Sequence, residues 1–408
     1  MSMRSWKYRL YPSKLQEQVL ERHLHQCKNL WNSLLEYVKT YHADTGKFPT
    51  RKQLYLQAKE TGLFSQVAQN VADRLVKSLR GMLARKKAGK KAGFPRFKSI
   101  DRMRSFTYPQ FGFRLGEHLE LSGLEDIPIK KHREIKGKIK TLTIKKSPSG
   151  KWFAVFTSEV EESVTQKKAG PAAGIDVGIE HFAYPSDGAT IENPRYLKQA
   201  EEKLKDAQRR LSGKKKGSRN RRKAKLLVAI AHEKLVNKRR DFLHKVSRQL
   251  VDKYALIAME NLNVAGLAHG FLAKEVLDCS WAEFVSMLAY KAEEAGCKVV
   301  LVNPAYTTSQ CSSCGLIQKK SLAERWHSCS CGASMHRDFN AAINILQRAT
   351  GGTPGCQDCV EERSSSAAGE SNSPDGEETA TRYKYYGQVS SLKQEAHAID
   401  RRYGQCAP

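Results

Sequence analysis

The fold of the larger part of the chain is decided by the stretch Ala173-Gly174-Ile175-Asp176-Val177-Gly178. Its apolar run ends in an acid and a glycine, as expected for a buried strand that delivers a carboxylate to a sheet edge. Two further acids hold comparable places: Glu260 follows an apolar run, and Asp338 begins a helical pattern. A lone acid of this kind is more often a helix cap, but three together supply the anionic oxygens with which two Mg²⁺ ions roughly 4 Å apart act on a phosphodiester. Asp176, Glu260 and Asp338 therefore predict a metal-dependent nuclease site.

The order of patterns around these acids indicates the architecture of this region. The strand that ends at Asp176 is followed by a hairpin partner at 181–184, a helical stretch at 196–240 interrupted near 213–217, a strand at 255–259, a helix at 280–295, a strand at 298–303 and a helix at 339–348. With acids at the strand ends and on the last helix, this is the order that a ribonuclease-H-like fold requires.

The charge of the chain indicates its partner. Lys and Arg number 70 against 42 Asp and Glu, and residues 350–408 hold 6 basic and 9 acidic residues, which leaves 64 against 33, or +31, for residues 1–349. A body this basic needs a polyanion, because its self-repulsion would otherwise oppose compaction. The excess is far above the magnitude of about 2–8 that solubility asks of a small domain, so we expect nucleic acid as the partner.

Two segments concentrate this charge. Between Arg74 and Arg104 there are twelve basic residues and one acidic residue, with two Phe interleaved, which suits phosphate contacts and base stacking; a solvated helix whose Phe merely pack is the alternative. The stretch 196–240 holds 17 basic and 4 acidic residues and predicts a groove for a nucleic-acid strand. The candidate nucleic-acid contacts are Arg85, Lys86, Lys87, Lys90, Lys91, Phe94, Arg96, Phe97, Lys98, Lys214, Lys215, Lys216, Arg219, Arg221, Arg222, Arg239 and Arg240.

The first 161 residues predict a β-barrel-like module into which helices are inserted. Residues 3–11 alternate as a strand, and residues 147–150 join a hairpin whose arms are 140–145 and 151–158. Helical periodicity in the intervening chain predicts a helical bundle at 12–103. Residues 1–11 and 104–161 are then expected to share one β module.

Two close cysteine pairs predict a metal site just before Asp338. The pair Cys311 and Cys314 is followed, after fourteen intervening residues, by the pair Cys329 and Cys331. Paired cysteines at this separation are typical of one structural zinc. The second pair is one residue short of the usual spacing, although alternate residues of an extended segment point the same way. His327 is therefore the rival of Cys329 as the fourth ligand.

The remaining composition bounds the class of protein. The sequence lacks an apolar run of about 18 residues and a secretory signal, so we expect an intracellular protein without a membrane span, whose ten cysteines are reduced thiols or metal ligands. Residues 350–408 are rich in Gly, Ser and Glu without apolar periodicity and predict a disordered tail that cleavage does not require.

In combination, these motifs resemble the TnpB family of insertion-sequence proteins, which are similar to the smaller type V CRISPR effector nucleases. The resemblance spans residues 1 to about 349 and is carried by the segments 93–97, 174–178, the Glu260 strand, the cysteine pairs and 337–342. Two features depart from the family pattern. His336 replaces the Asp that commonly precedes the Arg-Asp pair, and the second cysteine pair is shortened.

The resemblance implies a multidomain α+β protein. Residues 1–11 and 104–161 would form a β-barrel-like wedge module with the helical recognition bundle 12–103 inserted. Residues 172–304 and 333–349 would form a ribonuclease-H-like RuvC nuclease domain, with a target-binding zinc finger at 305–332 inserted and a disordered tail at 350–408.

The resemblance further implies an RNA-guided DNA endonuclease of an insertion sequence, in the cytoplasm of a prokaryotic cell and at the nucleoid when bound to DNA. A guide RNA derived from the transposon end would pair with double-stranded target DNA beside a short motif, one protein per guide RNA, and a single RuvC site with two Mg²⁺ would cut both strands. Base pairing would then supply most sequence specificity. The alternatives are an RNA-guided repressor without cleavage and a transposase or transposase accessory protein.

Overall fold

The structure is a computed structural model that describes residues 2–59, 61–161, 167–321 and 324–352, apart from the side chain of residue 125. The chain divides into two compact units, Met1–Ser163 and Val164–Pro408. The finer predicted domain boundaries stay predictions. From residue 353 onward, the predicted disordered tail lies outside the described residues.

The first unit is built on an antiparallel sheet with the strand order β2-β6-β7-β1-β5-β4-β3. The N-terminal strand therefore lies between strands from the second half of the unit, as the prediction of one shared β module requires. Its closure into a barrel stays a prediction. The strands are β1 (Ser2–Leu10), β2 (Ser105–Tyr108), β3 (Phe113–Leu115), β4 (His118–Leu121), β5 (Leu124–Lys130), β6 (Lys138–Lys146) and β7 (Trp152–Val160).

Alternation of side chains places β1 in this sheet. Trp6, Tyr8 and Leu10 are buried while their neighbours along the strand are more exposed, and β1 pairs with β7 along its whole length. The predicted hairpin is present between β6 and β7. Its turn ends at Gly150, whose φ of 84° is accessible to glycine at little cost.

Three helices, α1 (Lys14–Thr45), α2 (Arg51–Gln57) and α3 (Ser65–Lys87), follow β1. Helix α1 begins at a capping box in which Ser13 and Gln16 satisfy each other's backbone N–H groups. Helices and sheet share one hydrophobic core, in which Leu34 and Leu75 lie with Phe106 and Phe156. The predicted helical bundle is therefore packed on the sheet.

The second unit contains a mixed sheet with the strand order β10-β9-β8-β11-β12. Strands β8, β9 and β10 are antiparallel neighbours, whereas β11 lies parallel to both β8 and β12. The separate pair β13 and β14 is antiparallel. The elements are β8 (Ala172–Val177), β9 (His181–Pro185), β10 (Ile191–Glu192), α4 (Tyr196–Ser212), α5 (Arg219–Lys253), β11 (Leu256–Glu260), α6 (Val264–Leu267), α7 (Ala273–Cys279), α8 (Trp281–Ala295), β12 (Lys298–Val302), β13 (Trp326–Ser328), β14 (Ser334–His336) and α9 (Arg337–Thr350).

The central strands of this sheet are buried on both faces, as expected for parallel strands. Ile175 and Met259 lie in one core with Phe284 of α8. Ala258 points to the opposite face and packs with Ile345 of α9. Helix α9 packs on this face across β8, β9, β11 and β12, so its position depends on the whole width of the central sheet.

Gly174 lets α9 approach the sheet. A Cβ atom built at this position would lie 2.0 Å from the carbonyl oxygen of Ala342 and 2.6 Å from the backbone nitrogen of Leu346, distances that no side chain can occupy. The glycine in the decisive stretch is therefore required by a close backbone contact between strand and helix. In the part of the chain that the structure describes, no helix is long and apolar enough to cross a membrane.

Candidate active site and cysteine cluster

Asp176 and Glu260 lie side by side because β8 and β11 are parallel and in register. Ile175 is the partner of Met259, so the next residue of each strand reaches the same edge of the sheet. Side chains alternate along a strand, and both acids therefore project from the face opposite to Ile175 and Met259. That face is the one that α9 covers.

Helix α9 brings the third acid to this edge. Ala342 lies over Gly174, and Asp338 is one helical turn before Ala342, whereas Asp176 is two residues further along β8. Because the helix runs against the strand direction, the turn that carries Asp338 faces Asp176. The structure thus brings together Asp176, Glu260 and Asp338, and we call this group the acid edge.

Burial and mutual repulsion oppose ionisation at the acid edge. Burial, reinforced by the negative charges of Glu260 and Asp338, raises the pKa of Asp176 well above its ordinary value, and nearby Arg337 offsets only part of this rise. Asp176 and Asp338 are each only 8% exposed. Carboxylates that repel one another in a buried place are favourable ligands for a divalent cation, because the ion removes the repulsion.

Glu260 has protein partners that fix its carboxylate. The hydroxyl of Thr307 donates a hydrogen bond to Glu260 Oε1, and Thr307 is itself buried. Burial raises the pKa of Glu260, while this hydrogen bond and the charge of Arg348 lower it. Thr307 therefore orients one oxygen of Glu260 and leaves the other for a ligand.

Side-chain amides on α9 hold the segment that carries Thr307. Asn344 Nδ2 donates to the carbonyl oxygens of Thr307 (2.9 Å) and Gln310 (2.7 Å). Asn340 donates to the Gln310 carbonyl (2.7 Å) and accepts from the Ser312 N–H (2.8 Å). We call these two asparagines, with the segment 307–312 that they bind, the amide clamp.

The sequence analysis missed Thr307, Asn340 and Asn344. A signal for the asparagines is present: they are four residues apart on the face that also carries the buried Ala341 and Ile345. Polar residues on a buried helix face need partners, so their positions could have indicated a bound backbone segment. Thr307 lies in an irregular segment, where no periodicity marks it.

His336 takes the place at which the family commonly has Asp, and it performs a capping role. Its Nδ1 accepts a hydrogen bond from the Asp338 N–H at 3.3 Å, at the N-cap of α9. An aspartate would accept the same bond. The departure from the family pattern therefore preserves the start of the helix that carries Asp338.

The four predicted zinc ligands form a compact group. The sulfur atoms of Cys311, Cys314, Cys329 and Cys331 all lie within 4.8 Å of one another, with Sγ–Sγ distances of 3.8 Å for Cys311–Cys331 and 3.5 Å for Cys314–Cys329. Ligands about 2.3 Å from a tetrahedral zinc are about 3.8 Å apart. The donor set and its spacing therefore fit Zn²⁺. Among the described residues, this is the only group of potential ligands that is so tight.

The structure places the rival ligand His327 elsewhere. Its Nδ1 lies 2.6 Å from Lys320 Nζ, and its ring is not part of the sulfur group. The geometry therefore favours Cys329 over His327 as the fourth ligand.

The predicted nucleic-acid contacts divide into two groups. Those at 85–91, Arg96 and Phe97, and those at 214–216, Arg219 and Arg222, are exposed. The others already have partners within their own unit: Phe94 packs near Phe48, Lys98 Nζ lies 3.3 Å from the centre of a Trp31 ring, Arg221 donates to the Leu211 carbonyl, Arg239 pairs with Asp278, and Arg240 pairs with Glu283. All of these nucleic-acid contacts stay predictions, and the charges of the exposed group are the more accessible to a phosphate backbone.

Three parts of the chain match models of known protein families. Residues 155–269 match the family described as "Probable transposase", residues 281–345 match "Cas12f1-like, TNB domain", and residues 1–47 match "Helix-turn-helix domain". Within the last range the structure has one strand, β1, and one continuous helix, α1.

Two curated relatives are similar along most of their length. A "Putative RNA-guided DNA endonuclease" of Streptomyces pristinaespiralis is 32% identical over 84% of this chain and 88% of the relative. "Putative RNA-guided DNA endonuclease InsQ" of Escherichia coli strain K12 is 30% identical over 84% of this chain and 92% of the relative. The chain belongs to this TnpB family, and the resemblance predicted from its motifs is confirmed.

A solved structure, "Cryo-EM structure of the Cas12f1-sgRNA-target DNA complex", covers 86% of this chain and 100% of its own at 16% identity, with a TM-score of 0.34. This likeness is loose, so the family assignment rests on the sequence relatives.

Proposed function

We propose that this protein is an RNA-guided DNA endonuclease of an insertion sequence that hydrolyses phosphodiesters at the acid edge. The observation that carries the proposal is the convergence of Asp176, Glu260 and Asp338 from two parallel strands and one helix. The strand order and the acids on strand ends and on α9 support a ribonuclease-H-like domain of the RuvC type. The names of the relatives support RNA guidance and a DNA substrate.

The residues of the acid edge have separable roles in this proposal. Asp176 and Asp338 would hold two Mg²⁺ ions, and Glu260 would add an oxygen whose direction Thr307 fixes. Bound Mg²⁺ would polarise the scissile phosphate and lower the pKa of the attacking water. The exposed basic residues at 85–91 and 214–222 would hold nucleic-acid backbones, and one structural Zn²⁺ would be held by the four cysteines.

The partners are proposed by the same reasoning. The exposed cations fit a guide RNA from the transposon end and double-stranded target DNA, and one chain per guide is proposed. These partners would place the protein in the cytoplasm of a prokaryotic cell, and at the nucleoid when it is bound to DNA.

The test replaces each acid separately by alanine. Each variant receives a guide RNA, a matched duplex and Mg²⁺, with cleavage measured on a gel and binding by filter retention. Loss of a metal ligand commonly costs several kcal/mol of barrier, so Asp176→Ala, Glu260→Ala and Asp338→Ala should not cut detectably but should still bind. Glu202→Ala, an exposed acid of α4, is the matched control and should cut normally.

The outcomes separate the alternatives. Undiminished cleavage in one variant removes that residue from the site, and undiminished cleavage in all three ends the nuclease proposal. A wild-type protein that binds the matched duplex but never cuts it would be the RNA-guided repressor.

A further inference from the structure

Trp326 differs from every other tryptophan of the chain. The other four, Trp6, Trp31, Trp152 and Trp281, are 8%, 3%, 2% and 5% exposed, whereas Trp326 is 57% exposed. The sequence contains five tryptophans in total, and all five are among the described residues. An exposed indole of this size is costly in water, so its position calls for an explanation.

The Trp326 ring is held in place on the surface. Its Nε1 donates a hydrogen bond to Ser334 Oγ at 2.8 Å, and its backbone pairs with His336 across the β13–β14 ladder. The ring stands edge-on to the His336 ring, with centroids 6.5 Å apart and an interplanar angle of 87°. A fixed ring loses little conformational entropy when a flat ligand binds.

Trp326 begins a row of aromatic side chains that leads to the acid edge. His336 stacks on Tyr184 with centroids 5.2 Å apart and an interplanar angle of 10°. Tyr184 is the register partner of Asp176 across β8 and β9, and His336 caps the helix turn that contains Asp338. We call Trp326, His336 and Tyr184 the aromatic row.

The charges around Trp326 favour a polyanion. Arg325 precedes it, and the exposed Lys319 lies on the preceding segment. Arg325 also pairs with Glu180 at 3.2 Å but remains half exposed. These cations can contact phosphates next to a stacked base, close to carboxylates that would repel an unsupported strand.

We infer that Trp326 is a stacking site for an unpaired base of the DNA strand that enters the acid edge. The proposal rests on the proposed function and adds to it the place at which the strand is held. Every base has a π face, so the site has no sequence preference. A protein ligand is less suited, because the aromatic row leads to the acid edge, where the proposed function places a phosphodiester.

The first experiment uses the emission of Trp326 and requires no cleavage. The full chain in EDTA is titrated with oligothymidylate of about ten nucleotides, within the span of single-strand binding sites, while filter retention measures binding in parallel. Stacking should quench the emission of Trp326. The other four tryptophans are buried and cannot stack on the oligonucleotide, so their emission should stay unchanged. Trp326→Phe keeps a ring but removes the reporter, and should bind the oligonucleotide without the quenching.

Two results of this titration would overturn the inference. One is an unchanged emission of the wild-type protein when filter retention shows saturation. The other is equal quenching in Trp326→Phe. Quenching that depends on Trp326 in a protein that never cuts DNA would uphold this inference and reject the proposed nuclease function.

The second experiment measures single-turnover cleavage of a matched duplex by the guide-loaded protein. Trp326→Ala should raise the half-saturating duplex concentration roughly 5- to 100-fold, the range expected for one lost stacking contact, with little change in the maximal rate. Trp326→Phe should restore most of the affinity, since it keeps a stacking ring. Phe271→Ala, at a fully exposed aromatic outside the aromatic row, is the control and should cut normally; an unchanged half-saturating concentration in Trp326→Ala contradicts the inference.

Discussion

The acid edge and the cysteine cluster are two groups of potential metal ligands that the chain assembles in opposite ways. The acids come from three separate elements, and the sheet and α9 hold them near one another against their mutual repulsion. The cysteines come from two short turns, and their four sulfur atoms are within 4.8 Å. At the acid edge, the packed sheet and α9 hold the ligands in place. In the cysteine cluster, the ligands would instead hold two short turns in place by binding one ion.

The largest expected effect tests the cysteine side of this comparison. Cys311→Ser should reduce the zinc content from about one ion per chain to near zero and unfold the segment around β13 and β14, because structural zinc contributes on the order of 10 kcal/mol to small metal domains. Elemental analysis and hydrogen exchange measure the two effects. Loss of zinc in Cys329→Ser should be comparable, and full retention there would return His327 to consideration.

A methyl group at Gly174 tests the scaffold side. Gly174→Ala places Cβ against the backbone of α9, so the helix must shift and Asp338 must move away from Asp176. We expect a loss of about 3 kcal/mol in unfolding free energy and a fall in cleavage of about 100-fold, although all three acids remain. Gly213→Ala is the matched control, since its Cβ would meet only an ordinary contact of 3.7 Å. Equal behaviour of the two variants in melting and cleavage assays would refute the close-contact argument.

Burial and repulsion at the acid edge predict a stabilising substitution. Because the folded-state pKa of Asp176 is raised, its ionisation opposes folding at every pH above its unfolded value of about 3.9. In EDTA, Asp176→Asn should therefore be more stable than the wild type at neutral pH, and the difference should shrink as the pH falls towards 4. Thermal melts from pH 4 to pH 8 measure it.

Mg²⁺ should reverse that order of stability, because it stabilises the wild-type acid edge by mass action and binds the Asn variant more weakly. If Asp176→Asn is less stable than the wild type in EDTA throughout the pH range, repulsion among the three carboxylates does not destabilise the fold.

The smallest expected effect concerns the orientation of Glu260. Thr307→Val removes the hydroxyl that donates to the carboxylate and keeps the shape of the side chain. We expect cleavage to fall about ten-fold, as for one lost hydrogen bond, with a higher Mg²⁺ concentration needed for half activity. Thr307→Ser keeps the hydroxyl and should cleave nearly as well as the wild type. Equal activity of the Val and Ser variants would leave Thr307 without a positioning role.

The sequence predicted those parts of the molecule whose residues follow a pattern within one short segment. The alternation of Trp6, Tyr8 and Leu10 predicted β1, and apolar runs ending in acids predicted β8 and β11 at their observed places. The partnership of Asn344 with Thr307 could not be predicted in this way, because it joins a helix face to an irregular segment. Likewise, the engagement of Lys98 with Trp31 depends on packing between distant segments, which charge counts do not reveal.

The position of α9 has a consequence for the order in which the protein becomes active. A chain emerging from the ribosome can complete β8 and β11 long before the residues of α9 have been made, and Gly174 then remains an open groove on the sheet. Contacts between residues so distant in sequence form late in folding. An unfinished chain would consequently have two of its acids in place and yet be harmless to DNA, since α9 both closes the groove and delivers Asp338.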